Sequence, residues 1–216
     1  MSTPVMTLSP IKAYRLLARD YDRSPNPMLG LEQRTMAPLF PRLRGARVVD
    51  AAAGTGRWAS YCQSRGAATV ALDFCVDMLA GAPPPAVVAD VNRLPVPDAF
   101  ADVTICAFAL GYAPACLREL ARITRKGGTV LVSDVHPEAL LRGWTRTFSH
   151  RNGVIQVTHH RYTLDDLVEP ELRLDVLEQP RFGEPEREVL AKAGKLAAFE
   201  EAAHHPALFV GRWVKV

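Results

Sequence analysis

Asp50, Asp73 and Asp90 each close an apolar run, and their spacing is the first hint of chemistry in this chain. Asp50 lies in the stretch VVDAAAGTGRW at positions 48–58, where Gly54 and Gly56 flank one residue and leave the backbone open to a ligand. A helix opening at Gly56 would add unsatisfied N–H groups, which suit a phosphate or a carboxylate equally well. The loop lacks the Lys-Ser/Thr pair of a P-loop, and Ala59 breaks the pattern G-x-G-x-x-G. Asp73 falls about twenty residues further on, where a carboxylate accepts hydrogen bonds from both ribose hydroxyls. Asp90, in VVADVNRLPVP, is placed to accept from an exocyclic adenine amine. Three such carboxylates without a basic phosphate clamp suit a ligand with nucleoside features and no pyrophosphate.

The histidines form the second set of candidates. His136, His150, His159 and His160 fall in one segment, and His204 and His205 follow later. An imidazole titrates near working pH, so it can take a proton from a phenol or bind a polar group. His160 ranks first, then His136, which follows an apolar run in SDVHP, then His159. Arg57 could hold an anionic substrate group, with Trp58 beside it.

These residues need a sheet edge to converge on. The runs ARVVDAA, AATVALDF, PAVVADV, FADVTICAFAL and GTVLVSDV read as strands. Between them, helices are expected at Gly56–Gln63, over VDMLAGA, and at Pro114–Arg125, the last stopped by Lys126-Gly127-Gly128. This alternation predicts a doubly wound, mostly parallel α/β sheet. Further on, Asn152-Gly153 signals a hairpin, and TLDDLV predicts one or two helical turns capped by Thr163. LRLDVLEQP reads as a strand, 184–203 as one helix, and ALFVGRWVKV as a closing strand.

Bulk properties predict a soluble globular protein. The 216 residues suit one domain, 48% are hydrophobic and 23% charged, and the net charge of +3 is too mild to imply nucleic acid or a membrane surface. Cys62, Cys75, Cys106 and Cys116 are scattered without C-x-x-C or metal-ligand spacing, so a reduced, cytoplasmic chain with no metal is expected. No apolar run reaches the roughly 18 residues of a membrane span, and the first residues read as native structure rather than a signal.

VVDAAAGTGRWA, VALDFCVDML, VVADVNRLPVPDAFADVTICAFAL and LRELARITRKGGTVLVSDV resemble, in order and register, the successive motifs of class I S-adenosylmethionine-dependent methyltransferases. The pattern is similar to the ubiquinone/menaquinone-biosynthesis-like (methyltransferase type 11) branch, over residues 14 to 135. The resemblance implies a seven-stranded Rossmann-like sheet of order 3-2-1-4-5-7-6. It also implies N-terminal lid helices over 1–45, a cofactor core over 46–135, a substrate-side hairpin insert over 136–170 and closing strands over 171–216. The cofactor would be S-adenosyl-L-methionine. Asp50, Ala51, Ala52 and Gly54 would hold its methionine end, Asp73 its ribose, and Asp90 with Val91 its adenine. Phe74 and Met78 would line the adenine pocket, and Ala107 and Leu110 would lie beside the sulfonium. Tyr21, with Tyr14, would cover the cofactor from the lid, and His160 would face the substrate cavity before the short helix. The family usually has Gly where Ala52 stands, and alanine disfavours a positive φ.

The expected activity is methyl transfer to a small molecule, aromatic or quinone-like, by a monomer or homodimer that neither binds nucleic acid nor enters a membrane. The acceptor atom stays open among O, N, C and S. No Asn-Pro-Pro-Tyr-like tetrapeptide follows the fourth strand, where AFALGYAP stands, which argues against amino-group methylation of nucleic acid or protein glutamine. The alternatives are a non-catalytic protein that binds S-adenosylmethionine or S-adenosylhomocysteine, and a nucleotide-dependent oxidoreductase.

Overall fold

β-Branched runs alternate with short helices through the middle of the chain, and each run becomes a strand. The computed structural model describes residues 4–23, 26–151, 153–194 and 196–216. In chain order the elements are β1 (Val5–Leu8), α1 (Pro10–Leu17), α2 (Pro27–Met36), β2 (Arg47–Ala51), α3 (Arg57–Gln63), β3 (Ala68–Asp73), α4 (Val76–Leu79), β4 (Ala86–Val88) and β5 (Ala101–Ala107). They continue as α5 (Cys116–Ile123), β6 (Thr124–Val135), α6 (Pro137–Leu141), β7 (Thr147–His150), β8 (Gly153–Val157), β9 (Leu172–Glu178), α7 (Glu184–Lys192), α8 (Leu196–Ala202) and β10 (Leu208–Lys215).

Seven strands form the main sheet in the order β4-β3-β2-β5-β6-β10-β9. The pairs from β4 through β6 are parallel, whereas β10 runs antiparallel to both β6 and β9 and makes the sheet mixed. The α/β class and the mostly parallel sheet are therefore as the sequence pattern predicts. Side chains alternate across each strand, so Val49, Val130 and Val132 pack with α5 on one face. Val48, Val103, Ile105 and Leu131 pack with α2 and α3 on the other. Burial on both faces explains why β5 is almost wholly apolar.

Several boundaries differ from the sequence reading. The segment 1–45 is not all helical, because β1 pairs in parallel with β8, and β8 pairs with β7 in a separate three-stranded sheet. The helix expected to reach Arg125 ends at Ile123. Thr124 takes extended backbone there, and its hydroxyl bonds Leu120 O and Thr104 Oγ1. The helix expected over 184–203 is two helices, broken where Gly194 adopts φ +68°. TLDDLV forms a single 3-10 turn, Leu164–Asp166, with Asp166 accepting from both Thr163 N and Oγ1. The hairpin is present between β7 and β8, though Asn152 itself lies outside the described residues.

Gly211 in β10 lies against the buried indole of Trp213, and a Cβ at position 211 would meet the ring at 2.1 Å. Overpacking of this kind costs about 1–3 kcal/mol. Gly211→Ala should lower the free energy of unfolding by that amount, read from the midpoint of urea denaturation.

Candidate active site

A cavity of about 350 Å³ opens at the carboxyl edge of the parallel strands. Its walls come from the segments after β2, β3, β4 and β5, and its roof from α1 and the Tyr21 turn. Such an edge is where open α/β sheets bind ligands.

The loop after β2 reaches this edge by alternating into the left-handed region. Ala52 has φ +57°, Gly54 +56° and Gly56 +75°. At Gly56 a Cβ would lie 2.5 Å from Pro83 Cδ and 2.9 Å from Ala82 Cα, so only glycine fits. Ala52 adopts its positive φ in spite of its Cβ, at a cost of roughly 1–2 kcal/mol. The alanine anticipated as a local departure thus keeps the left-handed turn and bears the strain.

Asp73 stitches this loop to β3. Its Oδ2 accepts from Gly54 N at 2.8 Å and its Oδ1 from Cys75 N at 2.7 Å. Burial raises its pKa, against the lowering effect of these N–H donors. Asp50 is 1% exposed and accepts from Ala59 N at 2.8 Å. Desolvation pushes its pKa up to about 7, with the Ala59 hydrogen bond and Arg57 opposing. Asp90 stands beyond the end of β4, where its Oδ1 accepts from Asn92 N and Nδ2, both at 2.9 Å. Phe74 reaches the cavity while 61% exposed, and the buried Met78 packs beneath Gly54.

The roof is aromatic. Tyr14 lies 6.3 Å from Tyr21 and 5.8 Å from Tyr112 between ring centroids, and the Tyr14 and Tyr112 hydroxyls are 2.9 Å apart. Burial holds the Tyr21 and Tyr112 hydroxyls protonated, with pKa values well above the ordinary tyrosine range. Behind the wall, the wholly buried Glu32 of α2 accepts from Arg57 Nη2 at 2.6 Å, Trp58 Nε1 at 3.0 Å and Ser133 Oγ at 2.8 Å. A second buried pair joins Arg146 to Asp134. Arg146 Nη1 also donates to the carbonyl of Phe108 at 2.5 Å, and Phe108 has φ +56°.

Of the cofactor residues expected from sequence, Tyr21, Asp50, Ala52, Gly54, Asp73, Phe74, Met78, Asp90, Val91 and Ala107 line this one cavity. Two do not. Ala51 is fully buried on the face of β2 opposite Asp50. Leu110 packs into the core because the left-handed turn at Phe108 rotates the chain, so that Phe108 and Ala109 line the wall instead.

The histidines do not reach it either. His136 caps α6, with Nδ1 accepting from Glu138 N at 3.1 Å and Nε2 bonded to Gln179 Oε1 at 2.8 Å. His160 is exposed, and its backbone N–H donates to Gly111 O. His159 is half-buried, with Nδ1 3.4 Å from Val157 O. Tyr112 and Phe108 are the aromatic wall residues missed from sequence; both lie in AFALGYAP, whose aromatic spacing was the only signal available. Among the described residues, no group of three or more His, Cys, Asp or Glu side chains could hold a metal ion.

The fold and a stretch of the sequence are similar to those of known methyltransferases. Residues 49–132 match the family described as "Methyltransferase domain". The chain is similar to a demethylmenaquinone methyltransferase of Mycobacterium tuberculosis, 37% identical over 132 residues that cover 55% of each chain. It is also similar to a malonyl-[acyl-carrier protein] O-methyltransferase of Pectobacterium atrosepticum, 31% identical over 62% of this chain and 57% of that one. The chain thus spans little more than half the length of the curated relatives it matches. An S-adenosylmethionine-dependent methyltransferase from Mesorhizobium loti shares the fold, with a TM-score of 0.65 at 19% identity over 86% of this chain and 98% of that one.

Replacing Ala52 with glycine removes the Cβ strain but gives the unfolded chain more freedom, worth about 0.4–1 kcal/mol. Ala52→Gly should therefore leave stability unchanged or raise it by up to about 1 kcal/mol. Comparing denaturant midpoints of the two proteins checks this.

Proposed function

We propose that this protein transfers a methyl group from S-adenosylmethionine to a small aromatic or quinone-like acceptor. The observation that carries the reading is the convergence of Asp50, Asp73 and Asp90 on one cavity with a single guanidinium, that of Arg57. Three carboxylates against one cation suit a positively charged ligand with hydroxyl and amine donors, and oppose a pyrophosphate. The name of the mycobacterial relative supports a quinone-like acceptor.

When bound, the cofactor supplies an electrophilic methyl carbon, so the protein's work is alignment and exclusion of water. In this reading Asp50 and the loop from Ala52 to Gly54 receive the methionine end. Asp73 takes the ribose hydroxyls, and Asp90 with Val91 the adenine edge, between Phe74 and Met78. Ala107 lies by the sulfonium, and Tyr14 and Tyr21 close over it from the N-terminal lid at 1–45, with 46–135 as core. The insert 136–170 lies on the acceptor side, and the closing strands of 171–216 complete one domain. A mild charge of +3 supports a small-molecule substrate rather than nucleic acid. No described helix is long and apolar enough to cross a membrane. We place the protein in the cytoplasm, as a monomer or homodimer.

Calorimetry with S-adenosylmethionine, S-adenosylhomocysteine and NAD tests the reading, and binding of NAD alone would refute it. Turnover against a panel of phenols, amines, thiols and acids separates an enzyme from a non-catalytic binder. Asp73→Ala should weaken S-adenosylmethionine by about 1–3 kcal/mol, the scale of hydrogen bonds to a charged acceptor. An unchanged dissociation constant in the folded variant would remove Asp73 from the site.

Asp50 makes binding pH-dependent. In the free protein it takes up a proton as pH falls through about 7, whereas a cationic ligand beside it favours the carboxylate. The free state then holds more protons than the complex at acid pH. Affinity for S-adenosylmethionine should fall by up to about tenfold per pH unit below 7 and level off above it. Titrations from pH 5.5 to 8 should show this slope in the wild type and a flat profile in Asp50→Asn.

A further inference from the structure

We propose that the acceptor side of this cavity is an oxyanion site anchored by Arg57, which takes an acidic aromatic or enolic molecule in its ionised form. This rests on the methyl-transfer reading above and adds the acceptor's charge state to it.

Arg57 is the only cationic side chain lining the cavity among the described residues. Its Nη2 is held by the buried Glu32 at 2.6 Å, and its guanidinium carbon lies 4.7 Å from the Trp58 ring centroid, so its position is set before any ligand arrives. Its Nη1 is shielded from solvent and has no hydrogen-bond partner among the described residues. A desolvated guanidinium N–H without an acceptor is costly, and a ligand oxygen that takes it removes the cost. Arg57 and Arg146 both act electrostatically on the Tyr21 hydroxyl, which burial keeps protonated as a donor. Phe108, also in the wall, adds an apolar neighbour suited to a ring. Because Nη1 is shielded, the anion reaches it as the roof reorganises around the ligand.

Among the described residues, the carboxylates that line the cavity are already engaged by hydrogen bonds. Asp50 and Asp73 accept backbone N–H bonds on the cofactor side, Asp90 holds Asn92, and the three highest-ranked histidines lie elsewhere. An acceptor that arrives ionised needs no base. Its lone pair on oxygen or carbon forms the bond to the methyl carbon, and the sulfur–methyl bond breaks with its electron pair passing to sulfur. The anion and the sulfonium are both neutralised. No proton moves in the transfer step.

The test uses the protein saturated with S-adenosylhomocysteine and two probes of similar shape, 4-nitrophenolate and nitrobenzene, titrated by calorimetry at a pH where the phenol is ionised. The anion should bind at least about tenfold more tightly, the scale of a charge-assisted hydrogen bond. Arg57→Lys, which keeps a cation for Glu32 and loses the second prong, should remove most of that preference and leave S-adenosylhomocysteine affinity within about twofold. Equal affinity for the two probes, or no binding of either, overturns the proposal. So does a preference that survives Arg57→Lys, or a loss of S-adenosylhomocysteine affinity as large as the loss of preference. If Arg57→Lys does not fold, the double variant Glu32→Gln/Arg57→Gln removes both charges together and carries the same comparison. Failure of the wild type to bind S-adenosylhomocysteine shows before either probe is added, and sinks the methyl-transfer reading instead.

Discussion

The carboxylate of Asp73 holds the site together. One oxygen accepts from Gly54 N in the loop after β2, and the other from Cys75 N at the start of the next turn. The first bond ties the ends of the neighbouring strands β2 and β3, the second holds the turn after β3, and the cavity lies where they meet. The loop can meet Asp73 in this way because Ala52, Gly54 and Gly56 each turn the chain through the left-handed region. Glycine at 56 is obligatory for space, and alanine at 52 is tolerated at a cost. A strained residue kept at a ligand site is a common pattern, because the surrounding structure over-determines it.

A second constraint is the buried Glu32. Its two oxygens take three donors, from Arg57, Trp58 and Ser133. They come from α3 and β6, so one side chain of α2 registers the N-terminal segment against both the glycine-loop helix and the sheet. A buried charge lowers stability unless it is fully partnered, and here the partnering leaves the guanidinium of Arg57 at the cavity wall. On the opposite side, Arg146 and Asp134 fix the carbonyl of Phe108, and with it the left-handed turn that decides which side chains line the wall. The three aspartates favour a cation, while the tyrosine roof and the Arg57 donor favour an oxyanion.

Much of the core was legible without coordinates. Strand-like runs, glycine stops and acids at strand ends report local backbone preference and one-face burial, which neighbouring residues set. Asp50, Asp73 and Asp90 could be placed on one edge because parallel strands bring their carboxyl ends together. The strand β1 was not legible, since four residues with no turn signal become a strand only by pairing with β8, far along the chain. The break at Gly194 was missed because glycine within a helical pattern is compatible with either outcome.

The histidines show most clearly what the sequence by itself determined and what the tertiary structure decided. Residue type made His136 and His160 candidate bases, and spacing established the nucleoside-like set of acids. Whether an imidazole faces a cavity depends on its rotamer, its neighbours and the path of its loop. His136 is turned to cap α6 and bond Gln179, and His160 stands in solvent. Likewise, the identity of Leu110 marked it as apolar, but the turn at Phe108 sent it to the core. Local sequence set the chemistry on offer; long-range packing chose which of it meets the ligand, because side-chain direction is fixed by contacts between residues distant along the chain.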